Sequence, residues 1–409
     1  MNRRVFLKSG SMAMLTLGFA PSFLARTARA APARRKLLVA IFQRGAVDGL
    51  NMVVPYGEAE YYRARPSIAI PRPGSADGAA IDLDGFFGLH PRMQALAPLW
   101  QRKMLAVVHA SGSPDGTRSH FDAQDYMESA TPGVKSTRDG WLNRYLQADP
   151  EGHAALRAVA MTRQMPRSLQ GAAPVAAIGS VEEFGVRGPM ATQASFEEAY
   201  AAARDQVLRG TAGEAFDAVR TVERVRAAGA RPANGAVYPR SPFGQALAEI
   251  AALAKADVGL EVAFAESGNW DHHANEGGAT GQIANRLGDL ADGIAALARD
   301  LGERMADTVI LTMSEFGRAV QENGSRGTDH GHGNAMLLVG GPVKGGRVAG
   351  DWPGLAARDR FEGRDLAITT DFRDVFGEVV VRHLGATVAD AARVFPGHQI
   401  RPNRFRGVL

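Results

Sequence analysis

The sequence predicts an α/β protein, a three-layer sandwich built on a mostly parallel central sheet. Three observations predict it. Short, continuous apolar runs recur along the chain, segments of helical periodicity lie between them, and a hydrophobic content of 45% is enough for a large core. No internal repeat or low-complexity block divides the sequence, so residues 31–409 are read as one domain.

The runs that read as strands are Lys36 to Phe42 (KLLVAIF), Met104 to His109, Leu156 to Met161, Leu260 to Ala265, Thr308 to Met313 and Ala335 to Val339. Each lacks the polar alternation of a half-exposed strand, which points to burial on both faces and so to a parallel sheet. The helical segments are Met93 to Lys103, His120 to Ser129, Phe196 to Ala228, Phe243 to Ala256, Ile283 to Met305 and Phe372 to Leu384. An Ala-rich stretch within about 190–256 reads as a helical insertion that covers one face. Gly and Pro gather at Ile70 to Gly78 and Gly341 to Gly354, which read as loops.

The N-terminus is of a different kind. Arg3-Arg4-Val5-Phe6-Leu7-Lys8 fits a twin-arginine signal, the mildly apolar stretch Ser9 to Ala20 is short for a bilayer, and Ala28-Arg29-Ala30 offers a peptidase its small residues. Residues 1–30 therefore read as a signal peptide cleaved after Ala30. The chain is expected in the periplasm or secreted, with the twin-arginine translocase as export partner and no stable membrane anchor. An uncleaved anchor and an ordinary secretory signal are the alternatives. The segment holds five basic residues and no acidic one, so its removal takes the formal charge from +4 to −1. The pI of about 9.5 then ceases to indicate a nucleic-acid partner.

Cysteine is absent, which excludes disulfides, thiolate metal sites, iron–sulfur clusters and a cysteine nucleophile. Export of a folded chain often accompanies a cofactor loaded beforehand, and the ligands left are His, Asp and Glu. In open parallel sheets such groups collect beyond the carboxyl ends of strands.

Arg44 and Asp48 follow the first strand in a glycine-bearing turn, although Asp48 before Gly49 is also an ordinary turn residue. Ser119 precedes the helix from His120, where a hydroxyl can serve as nucleophile or simply cap the helix. Asp271-His272-His273 follows the strand ending near Glu266; in extended chain Asp271 and His273 share a face and His272 points away. Glu315 and Arg318 follow Met313, with a surface ion pair as the bland alternative. Asp329, His330 and His332 lie between glycines that would let backbone approach a ligand. Four of the ten histidines, His272, His273, His330 and His332, fall in the loop after Glu266 and the loop before Ala335.

Together, Arg44-Gly45-x-x-Asp48-Gly49-Leu50-Asn51, Ser119-His120-Phe121, Trp270-Asp271-x-His273-x-Asn275, Ser314-Glu315-Phe316-Gly317-Arg318 and Gly327-x-Asp329-His330-Gly331 resemble the bacterial secreted family called domain of unknown function 1501. That family is similar to the alkaline phosphatase and sulfatase superfamily. The resemblance implies an alkaline-phosphatase-like sandwich with metal ions at the strand ends. It implies Asp48, Asp271, His273, Glu315 and His330 as metal ligands, to which the glycine-bearing loop itself adds Asp329 and His332 as candidates. Ser119 would be the nucleophile, assisted by Arg44 or Arg318. Two departures stand out. Asp271 and His273 flank a single residue where the superfamily has three, and Phe316 occupies the place of a ligand histidine, for which His272, His332 or His120 could substitute.

The expected function is that of an exported metal-dependent hydrolase, acting on a small phosphate or sulfate ester or a related anionic group. The divalent ion, whether zinc, calcium or magnesium, is left open. A non-catalytic periplasmic binding protein with a degenerate metal site is the alternative, and a metal-dependent oxidoreductase a third, for which no dinucleotide-binding signature is present.

Overall fold

The computed structural model describes residues 35–75, 77–148, 154–182, 184, 206–229 and 231–409. The segment expected to be a signal peptide, with its expected cleavage after Ala30, lies outside these residues, as does the beginning of the helix expected from Phe196.

β1 (Leu37–Gln43) is buried along its whole length. Its residues divide by parity: Val39 and Ile41 enter one hydrophobic layer, and Leu38, Ala40 and Phe42 enter the other. This is the physical reason that the run carries no polar alternation. A small antiparallel sheet follows, made of β2 (Val53–Val54), β3 (Ile81–Asp82) and β4 (Gly88–Leu89). The central sheet continues with β5 (Leu105–Gly112), β6 (Ala158–Ala160), β7 (Ala176–Ala177), β8 (Val262–Ser267) and β9 (Thr308–Met313). A hairpin of β10 (Arg318–Glu322) and β11 (Thr328–His330) leads to β12 (Asn334–Gly340), followed by β13 (Arg347–Ala349) and β14 (Thr370–Asp371). The central strands lie in the order β13-β5-β12-β9-β1-β8-β6-β7, with β14 also on β5.

The expectation of parallel pairing holds for β9-β1-β8-β6-β7 and for β13 and β14 on β5. It fails at β12, which is antiparallel to both β5 and β9. The reason is the connection. A parallel return needs a crossover, usually a helix, whereas β9 reaches β12 through a hairpin on one edge and so comes back reversed.

Helices cover both faces. Pro91–Leu96 with Ala97–Gln101, Gln206–Ala227, Pro242–Lys255 and Gln282–Leu301 pack on the first layer. His120–Ser129, Trp141–Ala148, Phe372–Glu378 and Val388–Val394 pack on the second. The result is a mixed α/β sandwich. The helix His120–Ser129 starts where the Ser119 hydroxyl accepts from the Asp122 N–H and ends at Ala130 in the left-handed region. No described helix is long and apolar enough to cross a membrane.

Candidate metal centre

The ends of β1, β5, β8 and β9 and the start of β12 meet on one edge of the sheet: Gln43 is in register with Ser267, Phe42 with Met313, and Asn334 with Ser111. The loops leaving this edge are packed backbone against backbone. Gly45 has φ +111°, and a Cβ there would lie 2.9 Å from the Asp271 nitrogen. A Cβ on Gly331 would lie 2.3 Å from the Arg318 carbonyl carbon. Gly331 therefore serves the contact between two loops rather than the approach of a ligand.

Within this edge His120, Asp271 and His330 form a group able to hold a metal ion. His120 Nε2 lies 3.0 Å from His330 Nε2, and Asp271 Oδ1 lies 3.4 Å and 3.2 Å from these two nitrogens. His273 adjoins them, its Nε2 2.9 Å from His330 Nε2 and 3.0 Å from Asp271 Oδ1. The group is partly exposed, as a site that exchanges ion or substrate must be.

Each donor has a partner on its far side. His120 Nδ1 lies 2.8 Å from Glu315 Oε1 and donates to it, and His330 Nδ1 donates to the Arg118 carbonyl at 2.8 Å. His273 Nδ1 faces Asp329 Oδ1 at 3.5 Å, and Asp271 Oδ1 accepts from Arg318 at 2.7 Å. These partners fix the tautomers: with Nδ1 carrying the proton, neutral His120 and His330 both turn bare Nε2 lone pairs to the same point as a carboxylate oxygen. Three acceptors at such distances repel one another unless a cation, a proton or a metal ion, sits among them. Two imidazoles and a carboxylate, each backed by a hydrogen-bonding partner, fit a divalent metal.

The electrostatics agree. Burial opposes charge on Asp271, but the Arg318 guanidinium outweighs it and brings the carboxyl to a pKa of about 2. The hydrogen bond it donates to Glu315 raises His120, whereas burial lowers His330. Burial also opposes charge on Glu315, yet hydrogen bonds from His120 and Gln124 hold its pKa below the usual value.

Other residues singled out in the sequence have different places. Asp48, expected as a ligand, makes none of these contacts; it is buried, caps the helix Gly49–Met52 and is gripped by two nitrogens of buried Arg65. Glu315, expected as a ligand, stands behind His120, where it accepts from Gly45 N, Gln124 Nε2 and His120, each at 2.8 Å, and the alternative of a surface ion pair with Arg318 is not formed either. Arg318 is buried and donates to the carbonyls of Gly45, Ala46, Trp270 and Thr328 as well as to Asp271, so it braces loops instead of facing an anion. Arg44 pairs with Glu266 and Glu128. His332 stacks on Phe361 at 4.0 Å, and burial lowers its pKa, like that of buried His272, to about 4. Asp329 is exposed behind His273. Ser119 is exposed and caps its helix with a long contact of 3.5 Å. Phe316 packs beside the rings of His120 and His330, with centroids 4.9 Å and 5.1 Å away, and forms an apolar wall.

Fold and site together define an α/β sandwich protein with a His/Asp candidate metal centre at the strand ends. The family described as Protein of unknown function (DUF1501) matches residues 35–391, and the chain belongs to that family. No curated protein matches the chain.

Proposed function

We propose that the protein is an exported metal-dependent hydrolase, related in type to the alkaline phosphatases and sulfatases, that acts on a phosphate or sulfate ester or a similar anionic group. The observation that carries this reading is the convergence of His120 Nε2, His330 Nε2 and Asp271 Oδ1 at a partly exposed strand edge. A divalent ion bound there would lower the pKa of a coordinated water and polarise an ester oxygen. Nitrogen-rich donors favour zinc or a similar transition ion over calcium and magnesium, which prefer all-oxygen surroundings.

The chain's own residues divide the remaining work. Glu315 holds the His120 tautomer and strengthens it as a donor. Arg318 keeps Asp271 ionised and in place. Ser119, next to His120 at a helix N-terminus, offers the hydroxyl for attack on the ester. Phe316 keeps water from one side. Export through the twin-arginine route, with cleavage after Ala30, rests on the N-terminal sequence and predicts Ala31 as the first residue of the periplasmic protein, which N-terminal sequencing checks.

A second reading, a metal-dependent binding protein without turnover, is favoured by one observation: Arg44 and Arg318, the expected anion clamps, are both engaged by protein groups. Metal analysis of the purified mature protein, followed by assays with aryl phosphate, phosphodiester and sulfate esters, separates the two. Turnover that disappears in Asp271→Ala and His330→Ala supports the hydrolase. Bound metal with no turnover supports the binding protein, and absence of metal affinity rejects both.

A further inference from the structure

We infer that a cleft beside the candidate metal centre is a second substrate subsite, in which Arg163 takes an additional anionic group of the molecule whose ester lies at the centre; this rests on the hydrolase reading. The cleft, about 440 Å³, opens at the carboxyl ends of three adjacent strands, with Arg44 after β1, Thr162 to Arg167 after β6, and Glu266 in β8.

Its cations are not equivalent. Arg44 is neutralised by Glu266 at 2.6 Å and Glu128 at 2.9 Å. Arg167 pairs with Asp125 at 3.0 Å and donates to the carbonyl of Arg138. Arg163 is exposed and makes neither ion pair nor hydrogen bond among the described residues. Its stem is nonetheless placed: a Cβ on Gly179 would lie 3.1 Å from Arg163 Cγ, so the missing side chain leaves the methylenes a surface to cross. With Glu266 already matched by Arg44, the uncompensated charge in the cleft is the Arg163 guanidinium, whose planar fork suits a carboxylate, sulfate or phosphate.

Cleft and centre are neighbours through one polar chain. Arg44 donates to Gln124 at 3.1 Å, Gln124 donates to Glu315 at 2.8 Å, and Glu315 accepts from His120 at 2.8 Å. A compact ester held at the centre would leave Arg163 unused. A longer molecule with an acidic group at each end would engage both.

The test is calorimetric titration of the zinc-loaded full mature chain with an alkyl monophosphonate and with the matching bisphosphonate on a flexible chain. The bisphosphonate is expected to bind about tenfold more tightly, beyond the roughly twofold statistical advantage of its two ends, as one charge-assisted contact allows. Arg163→Ala should reduce the ratio to about twofold, and Arg163→Lys should keep part of it. A ratio near two in the wild type, or one that Arg163→Ala leaves unaltered, overturns the inference. Asp271→Ala tests the other premise: bisphosphonate binding that depends on Arg163 but not on zinc would retain Arg163 as an anion site and remove the metal-hydrolase reading.

Discussion

Asp48 and Asp271 are two aspartates in the same kind of place, each a few residues past the end of a strand on the same sheet edge and each held by an arginine. Their surroundings make them opposites. Asp48 is closed: Arg65 Nη2 donates to Oδ1 at 3.0 Å, Nη1 grips Oδ2, and the Leu50 N–H takes a further lone pair. Buried Glu276 stands nearby, its carboxyl pushed well above the usual range by burial and then by Asp48. Asp271 meets a single guanidinium nitrogen, and its side chain is 44% exposed among imidazoles. A buried carboxylate held by three donors is structural; one that retains its charge and an exposed face can bind a ligand.

The comparison can be broken first at its closed half. Arg65→Met leaves Asp48 buried without its partner and is expected to cost about 3–5 kcal/mol in denaturant unfolding, while the folded fraction keeps its metal affinity. Adding Asp48→Asn should recover part of that loss. At the open half, Asp271→Ala should weaken zinc binding by roughly 100-fold or more in chelator competition, with a smaller loss of stability than Arg65→Met, since buried Arg318 loses its carboxylate but keeps its four carbonyl acceptors.

The same titration run against pH sharpens the point. Asp271 stays ionised down to about pH 2. Acid release of the ion should therefore follow the imidazoles and not the carboxylate: affinity rises as protons leave His120 and His330 and falls as they return. The raised pKa of His120 lets a proton compete to higher pH there. Glu315→Gln should weaken zinc about tenfold and lower the His120 pKa, followed by imidazole NMR. Smallest is Ser119→Ala, expected to cost about 0.5 kcal/mol or less in stability because its cap contact is long and exposed. Loss of turnover well beyond that effect would mark Ser119 as the nucleophile.

Much of the frame was legible in the sequence because strands buried on two faces leave unbroken apolar runs, as Thr308 to Met313 does. The helix His120–Ser129 was legible through its Ser119 cap. The helix Trp141–Ala148 had a signal that went unused: Trp141, Leu142, Tyr145 and Leu146 recur at helical spacing and are buried. The reversal of β12 was not legible, since apolar content is indifferent to strand direction.

At the site, the loops that meet could be read, but the assignment of roles within them could not. Which of Ser119 and His120 faces the other loops depends on how the helix is rotated on the sheet. Whether Asp48 is free depends on Arg65, 17 residues away. Glu315 and Arg318 have the chemistry of a ligand and a clamp, and only the carbonyls and imidazole around them show that they support other groups. The Arg118 carbonyl and Gln124 were missed because main-chain acceptors and neutral amides carry no mark in a sequence.

The reversed β12 has a bearing on assembly. It lies between β5, from the first third of the chain, and β9, so the middle of the sheet closes only after a late segment has arrived. The hairpin that brings β12 home also delivers His330 to His120 and Asp271, residues separated by long stretches of sequence. A growing polypeptide that stops short of this segment has only part of the coordination set. Ion capture would thus act as a completion check, favouring chains whose two halves have joined and stabilising them by mass action.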